Sequence, residues 1–390
     1  MKEILRFLIQ VNKLKETVRT GWKIWRINNP ERIGEHIIRV CFLTFLLGDK
    51  KGLRQRVALQ NALSHDLCEV YAGDITPVFY YQNLDVAKKK DRKILFKGIR
   101  LTEKDKRKFT QMKVRRERKS LLKLLRKLDP ALRKEIFFRW TDYENGISPE
   151  GKFTKQVDWI ENLIQSLEYL GPEGSGSGWW EIAEEKIYDS LLQRFLKVIQ
   201  KRFYGSPHQK KDERLDKELD NILDFILLIG KLKHMPRLYW YLRGIEKPET
   251  VAGHIFILAV MVWALGKKKK NLNQEKLLKM ALCHELPAIE IGDTTPYDQI
   301  LLGDDPEKKK ALEKMIRLSR KEKERIFFED YKKEKKALEK ITQNLGPSLR
   351  REIINLWDDY KTKKSPEARF LNQLNTLAIL FQGILYEKKY

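Results

Sequence analysis

The residues able to do chemistry here are a histidine before one apolar run, a His-Asp pair after another, and carboxylates beyond them. His36 precedes IIRVCFLTFLL, His65 and Asp66 follow VALQNAL, and Asp158 stands inside KQVDWIENLIQSLEYL. Each puts an ionisable side chain where an apolar helix face is expected. A His-Asp pair on a helix offers one divalent ion an imidazole nitrogen and a carboxylate oxygen, and other helices must supply two more ligands. Such donors suit manganese, cobalt, iron or zinc. Glu69 follows His65 by one helical turn and shares its face. A carboxylate beside a metal site is placed to move protons during hydrolysis. Asp74, in the Gly73-Asp74 step before Pro77, is positioned to contact substrate from a loop. One buried histidine is more often a core residue than a ligand; here the joint pattern carries the reading.

The elements that must position these residues occur twice. KLKETVRTGWKIWRINNPERIGEH, ending at His36, is matched by KLKHMPRLYWYLRGIEKPETVAGH, ending at His254, 218 positions later. SHDLCEVYAGDITP from Ser64 is matched by CHELPAIEIGDTTP from Cys283, and WTDYENGISPEGKF from Trp140 by WDDYKTKKSPEARF from Trp357. Three blocks in one order at near-constant spacing mark a duplication. Nearly every apolar pattern has helical spacing, as in Ile37, Ile38, Cys41, Phe42, Phe45 and Leu46, and no run of alternating strands stands out. The fold class is therefore all-α, in two tandem helical domains at 1–205 and 213–390. Between them, GPEGSGSG at 171–178 reads as a flexible loop, 179–203 as one more helix, and 204–217 as the linker. The second copy opens with a helix around 219–232. Trp22, Trp140, Cys41 and Cys283 read as core residues, with Trp22 also at a position open to ligand stacking.

The first copy resembles the HD-domain phosphohydrolases, in the branch of bacterial 5′-deoxynucleotidases and their eukaryotic HD-domain-containing relatives. The motifs that carry the resemblance are NPERIGEH, SHDLCEVYAGDITP and KFTKQVDWIENLIQSLEYL, across residues 22–169. It implies one divalent metal ion (manganese, cobalt, iron, zinc or magnesium) held by His36, His65, Asp66 and Asp158. Glu69 is then the carboxylate acting on water or leaving group, and Asp74 a further active-site residue. It implies nucleoside monophosphate as substrate, with Trp22 matching an aromatic that lines the pocket. The arginine that the family often places near this tryptophan is not at its usual spot, where Trp25 stands. Arg26 beside it and Arg19 one turn before Trp22 are the candidates for phosphate contact. The 78–112 stretch is longer and more basic than in compact members.

The second copy keeps His254, His284 and Asp293 but carries Glu285 for Asp66, Ala288 for Glu69 and Asn375 for Asp158. Losing a carboxylate ligand and the proton-moving carboxylate together predicts an inactive copy. Relatives with a single copy tend to pair, so the resemblance implies an intrachain pseudo-dimer, the second half serving as structural partner of the first.

A net charge of +25, from 79 basic and 54 acidic residues, suits phosphorylated ligands or nucleic acid. Much of the excess lies in mixed-charge stretches, 104–134 and 308–340, typical of solvated helix faces. The alternative function is a nucleic-acid-associated protein that grips phosphate backbone through helices such as KVRRERKSLLKLLRK at 113–127. No apolar run reaches the roughly 18 residues of a membrane span, and the N-terminus lacks the pattern of a signal peptide. Three widely spaced cysteines argue against a disulfide framework or a thiolate zinc site. The expected location is cytoplasmic.

Overall fold

The computed structural model describes residues 1–76, 88, 90–91, 102–174, 176–205, 213–269, 271–294 and 319–388. Pro77, most of the basic 78–112 stretch and the centre of the 204–217 linker lie outside the described residues. Among those described, every named element is helical, as the periodicity predicts. The strand-like pairings are two isolated bridges, Val18 with Arg32 and Pro236 with Thr250, at equivalent places in the two copies.

The first copy comprises α1 (Lys2–Val11), α2 (Thr20–Ile24), α3 (Ile33–Lys50), α4 (Gln55–Ser64), α5 (Glu69–Ala72), α6 (Glu103–Leu125), α7 (Pro130–Asn145), α8 (Pro149–Gly174), α9 (Gly176–Lys186) and α10 (Ser190–Tyr204). The second runs through α11 (Glu213–Gly230), α12 (Leu238–Tyr241), α13 (Val251–Gly266), α14 (Gln274–Cys283), α15 (Ala288–Ile291), α16 (Arg320–Ile341), α17 (Pro347–Thr362) and α18 (Pro366–Glu387). In order, α11 to α18 repeat α1 to α8.

Two expectations between the copies are corrected. The glycine-rich 171–178 segment is helical at its described residues: one helix runs to Gly174 with a kink at Gly171 (φ 68°), and the next begins at Gly176. The 179–203 stretch is not one helix. It breaks before Asp189, whose carboxylate accepts from the N–H groups of Leu191 and Leu192 and caps α10.

Helix starts follow local chemistry. Glu35 accepts the Arg32 N–H at 2.6 Å at the head of α3. Asp129 caps α7 through the Leu132 N–H, and Pro130 opens that helix, where its missing N–H is no loss. Ser365 and Pro366 do the same for α18.

The centre of the molecule follows from α3 and α13. Neither turns a polar face to solvent: Ile33–Gly48 is buried throughout, as is Val251–Ala264, with Glu35, His36, Arg39 and His254 sealed in among the apolar residues. A helix without a polar face must be covered all round. α3 packs on α4 and α8 of its own copy and on α13 of the other, and the buried apolar residues of both copies form one continuous core. The crossing is close enough to need a glycine: a Cβ on Gly34 would lie 2.9 Å from Phe256 Cδ1.

Buried polar contacts join the copies reciprocally. The Lys15 ammonium donates to Glu249 and to Gln382 Oε1 (2.7 Å). The Lys233 ammonium donates to Glu31, to Gln165 Oε1 (2.7 Å) and to Glu161 Oε1 (2.6 Å). Lys15 and Lys233 are repeat equivalents, as are Glu249 and Glu31, and Gln382 and Gln165.

Candidate metal centre

His36 sits on the first turn of α3, where the close crossing seals it completely from solvent. His65 and Asp66 are not within a helix, as the sequence suggests, but in the turn just past α4, which leads into α5. Asp158 comes from the middle of α8. These three elements bring the four side chains within reach of one another. His36 Nε2 lies 3.0 Å from Asp158 Oδ1 and 3.8 Å from Asp66 Oδ2. His65 Nε2 lies 3.2 Å from Asp66 Oδ2 and 3.2 Å from His36 Nε2.

The orientation of the two imidazoles tests whether this set suits a cation. His65 Nδ1–H donates to the Ala62 carbonyl at 2.6 Å, and His36 Nδ1–H donates to the Glu161 carboxylate. A neutral imidazole with hydrogen on Nδ1 presents a lone pair at Nε2. Two lone pairs and two carboxylates therefore converge. Nitrogens 3.2 Å apart are spaced as two ligands sharing one cation at about 2.1 Å. The residues fit a divalent metal.

Without a cation the same nitrogens draw protons instead, so the protein's own charges show the same need. Burial and Arg19 push His36 down, yet Glu161 and Asp158 outweigh them and lift it to about 9. Burial opposes ionisation of Asp66 and Asp158, but the neighbouring histidines hold both carboxyls below their usual range. So many anionic acceptors around two imidazoles call for positive charge. A second grouping, Glu31 with His36 and Glu161, also has ligand atoms close together. Its carboxylates already accept from Lys233, Arg39 and the Trp22 indole, so they serve as the outer layer.

That outer layer was not read from the sequence. Glu161 is wholly buried on α8, one turn after Asp158, and orients His36. Its carboxyl is held well below the usual range: burial opposes the charge, but Lys233, His36 and Arg39 more than compensate. Tyr143 donates to Asp158 Oδ2 at 2.7 Å, and the Asn162 amide to Asp158 Oδ1 at 3.0 Å. The readable signal for Glu161 is its repeat equivalent, Ala378, in the copy that has also lost Asp158.

The remaining candidates are placed as follows. Glu69 begins α5 and is buried; burial, then the charges of Asp66 and Asp74, push its carboxyl well up, against the pull of Arg19 and Lys113. Asp74, reached through Gly73 (φ 74°), accepts the Thr20 N–H at 2.6 Å and so caps α2 beside Arg19. Arg19 is held charged: burial opposes it, and Asp74, Glu31 and Asp66 outweigh burial. Its Nη1 lies 3.9 Å from Glu31 and 4.0 Å from Glu161, too far for a hydrogen bond, and has no hydrogen-bond partner. Trp22 is buried, stacked on Trp179 at 5.7 Å and donating to Glu31 at 2.9 Å. Arg26 stands exposed with φ 52° on the turn after α2.

The second copy arranges equivalent atoms differently. Arg237, the counterpart of Arg19, donates to Glu285 Oε1 at 2.8 Å and to Asp293 Oδ1 at 2.9 Å. Glu285 is one methylene longer than Asp66, and that extra reach brings its carboxylate to the guanidinium. Arg237 holds Glu285 down to about 2 against the effect of burial. Burial and Arg237 together drive His254 down to about 3. The Asn375 carbonyl faces His254 Nε2 at 2.8 Å, which makes that nitrogen the donor and removes it as a ligand. His284 Nε2 is buried without a partner. Among the described residues, this centre borders a cavity of about 190 Å³, below the roughly 300 Å³ where small-molecule pockets begin.

Comparison with known proteins adds an independent line. A family model described as an HD domain matches residues 11–194 and again 229–390. The chain is 35% identical over 170 residues to a Danio rerio protein named 5′-deoxynucleotidase HDDC2, covering 44% of this chain and 72% of that one. The Homo sapiens protein of the same name is 31% identical over 167 residues, covering 43% of this chain and 69% of the relative. A Schizosaccharomyces pombe protein, 5′-deoxynucleotidase hdd1, is 29% identical over 174 residues, covering 44% and 74%.

Proposed function

Because the chain belongs to the HD-domain family and is a phosphohydrolase, we propose that its first copy removes phosphate from (deoxy)nucleoside 5′-monophosphates while its second is inactive. The observation that carries the reading is the contrast between the two centres. Two Nε2 lone pairs and two carboxylates converge in the first, whereas a guanidinium already neutralises the carboxylates of the second.

His36, His65, Asp66 and Asp158 would hold one divalent ion, which supplies a Lewis acid for phosphoryl transfer to water. The chain's own residues do the rest. Arg19 presents a charged, unpartnered N–H beside the centre, suited to a phosphate oxygen. Glu69, whose carboxyl is pushed well up by burial and then by Asp66 and Asp74, is suited to give a proton to the departing 5′ oxygen. Asp74 keeps α2, and with it Arg19, against the site. Trp22 contributes a rigid wall through its stack on Trp179, and Arg26 remains the outer candidate for substrate charge.

The second copy serves this reading as the inner half of an intrachain pair, supported by the reciprocal lysine contacts and the shared core. A cytoplasmic location is consistent with three buried free cysteines, and no helix among the described residues is long and apolar enough to cross a membrane. The nucleic-acid alternative rests on α6, whose Arg115, Arg116, Arg118, Lys119 and Lys123 are exposed, although part of its charge is engaged within the fold. Lys113 pairs with Glu117, Arg118 lies over Phe137, and Lys123 lies over Tyr71.

The test is phosphate release from a panel of nucleoside monophosphates, with single divalent metals added back after chelation. Release by the wild type, lost in His65→Ala and kept in His284→Ala, is expected. Release that survives His65→Ala would refute it.

A further inference from the structure

We propose that Lys233, contributed by the second copy, is a positioning residue for the metal centre of the first. The inference rests on reading that centre as a metal site. Lys233 is almost fully buried, and its ammonium donates to Glu31, Glu161 and Gln165, all three in the first copy. Glu161 spends one carboxylate oxygen on His36 Nδ1–H and the other on Lys233 and on Arg39 Nε, at 2.6 and 2.9 Å. Lys233 therefore fixes the orientation of the carboxylate that fixes His36, and a hydrogen on Nδ1 is what turns the Nε2 lone pair to the centre. The chain of contacts is Lys233, Glu161, His36, cation, and its first member comes from the other copy. Outer partners of this kind set ring orientation and ligand basicity.

The fold supplies its own control. Lys15 makes the equivalent contact in the opposite direction, donating to Glu249 and Gln382. Where Glu161 would stand, the second copy has Ala378, and His254 Nδ1 has no hydrogen-bond partner. Lys15 and Lys233 are both nearly inaccessible, at 5% and 2%. They bury the same cation between repeat-equivalent elements, so they should matter alike to packing. They differ in what the acceptor carboxylates hold.

The experiment uses the full chain, stripped of metal and titrated with cobalt(II) by equilibrium dialysis, with the visible cobalt spectrum recorded at each step. Lys233→Met should weaken binding at the site abolished by His65→Ala by about 10- to 100-fold and alter the cobalt spectrum. Lys15→Met should leave both near wild type while lowering the melting temperature comparably. Should Lys233→Met fail to fold, Glu31→Gln with Lys233→Met restores charge balance and is read in its place, with the same expected loss. Equal effects of the two lysine variants on cobalt binding, or no effect of either, overturn the inference alone. A wild type whose cobalt binding is indifferent to His65→Ala overturns both the inference and the site reading beneath it.

Discussion

Asp66→Glu in the first copy should reproduce the closed state of the second. The substitution keeps charge and donor type and adds one methylene. In the second copy that methylene is what lets Glu285 Oε1 meet Arg237 Nη1 at 2.8 Å, whereas Arg19 Nη1 has no hydrogen-bond partner. A glutamate at position 66 would gain a charge-assisted bond to Arg19, about 1.5–3 kcal/mol. A metal must break that bond to recruit the carboxylate. At about 1.4 kcal/mol per factor of ten, affinity should fall roughly 10- to 150-fold. Arg19 would at the same time be lost as a phosphate contact, so turnover at saturating metal should fall as well and KM should rise. Isothermal titration with manganese gives the affinity, and phosphate release against substrate concentration gives KM. The double variant Arg19→Met with Asp66→Glu should recover part of the metal affinity but not KM. Wild-type metal affinity in Asp66→Glu would refute the claim that side-chain length at this position separates the two copies.

Three further outcomes follow from the geometry. The chain should bind one equivalent of divalent metal, lost in His65→Ala and kept in His284→Ala, as metal analysis after dialysis would read; two tight equivalents lost separately would contradict it. Glu69→Gln should retain metal yet lose turnover, since an amide cannot give a proton. Because burial raises the Glu69 carboxyl, the acid form persists upward in pH, and wild-type kcat should decline as pH rises through that displaced value; a profile flat on its alkaline side would count against the assignment. Gly34→Ala should destabilise the chain by about 1–3 kcal/mol by thermal denaturation, because its Cβ meets the buried Phe256 ring at 2.9 Å; an unchanged melting temperature would show that the crossing can relax.

Much of this was legible in the sequence, for physical reasons. The duplication shows in the spacing of His36 and His254, and the all-helical class in apolar residues spaced three and four apart. His36, His65, Asp66 and Asp158 stand out because each interrupts an apolar face that has no other reason to be polar. Glu161 does not stand out, since a glutamate in VDWIENL looks the same whether solvated or sealed beneath a histidine. Lys15 and Lys233 are still harder to see: each lies in a KLK triplet typical of a surface, and its partners are on the other copy. Composition misled at 171–178, where glycines flag a loop but the chain needs only one left-handed residue, Gly171, to turn and stay helical. The break before α10 is set by the Asp189 cap, which an apolar periodicity running through Ile187 and Leu191 conceals.

Placing both halves on one polypeptide releases the crossing of α3 and α13 from a rule that binds any pair of identical subunits. In a symmetric assembly every substitution appears twice, so a change that relaxes one site is imposed on the other. Here Ala378 stands opposite Glu161 and Gly253 opposite Glu35, differences that a shared gene for two identical subunits could not record. On the proposed division of labour, mutations reaching the second half would be filtered for what they do to packing, and those reaching the first for what they do to chemistry. Position 233 would then be the exception: it belongs to the half filtered for packing, while its ammonium contacts Glu31, Glu161 and Gln165 of the other.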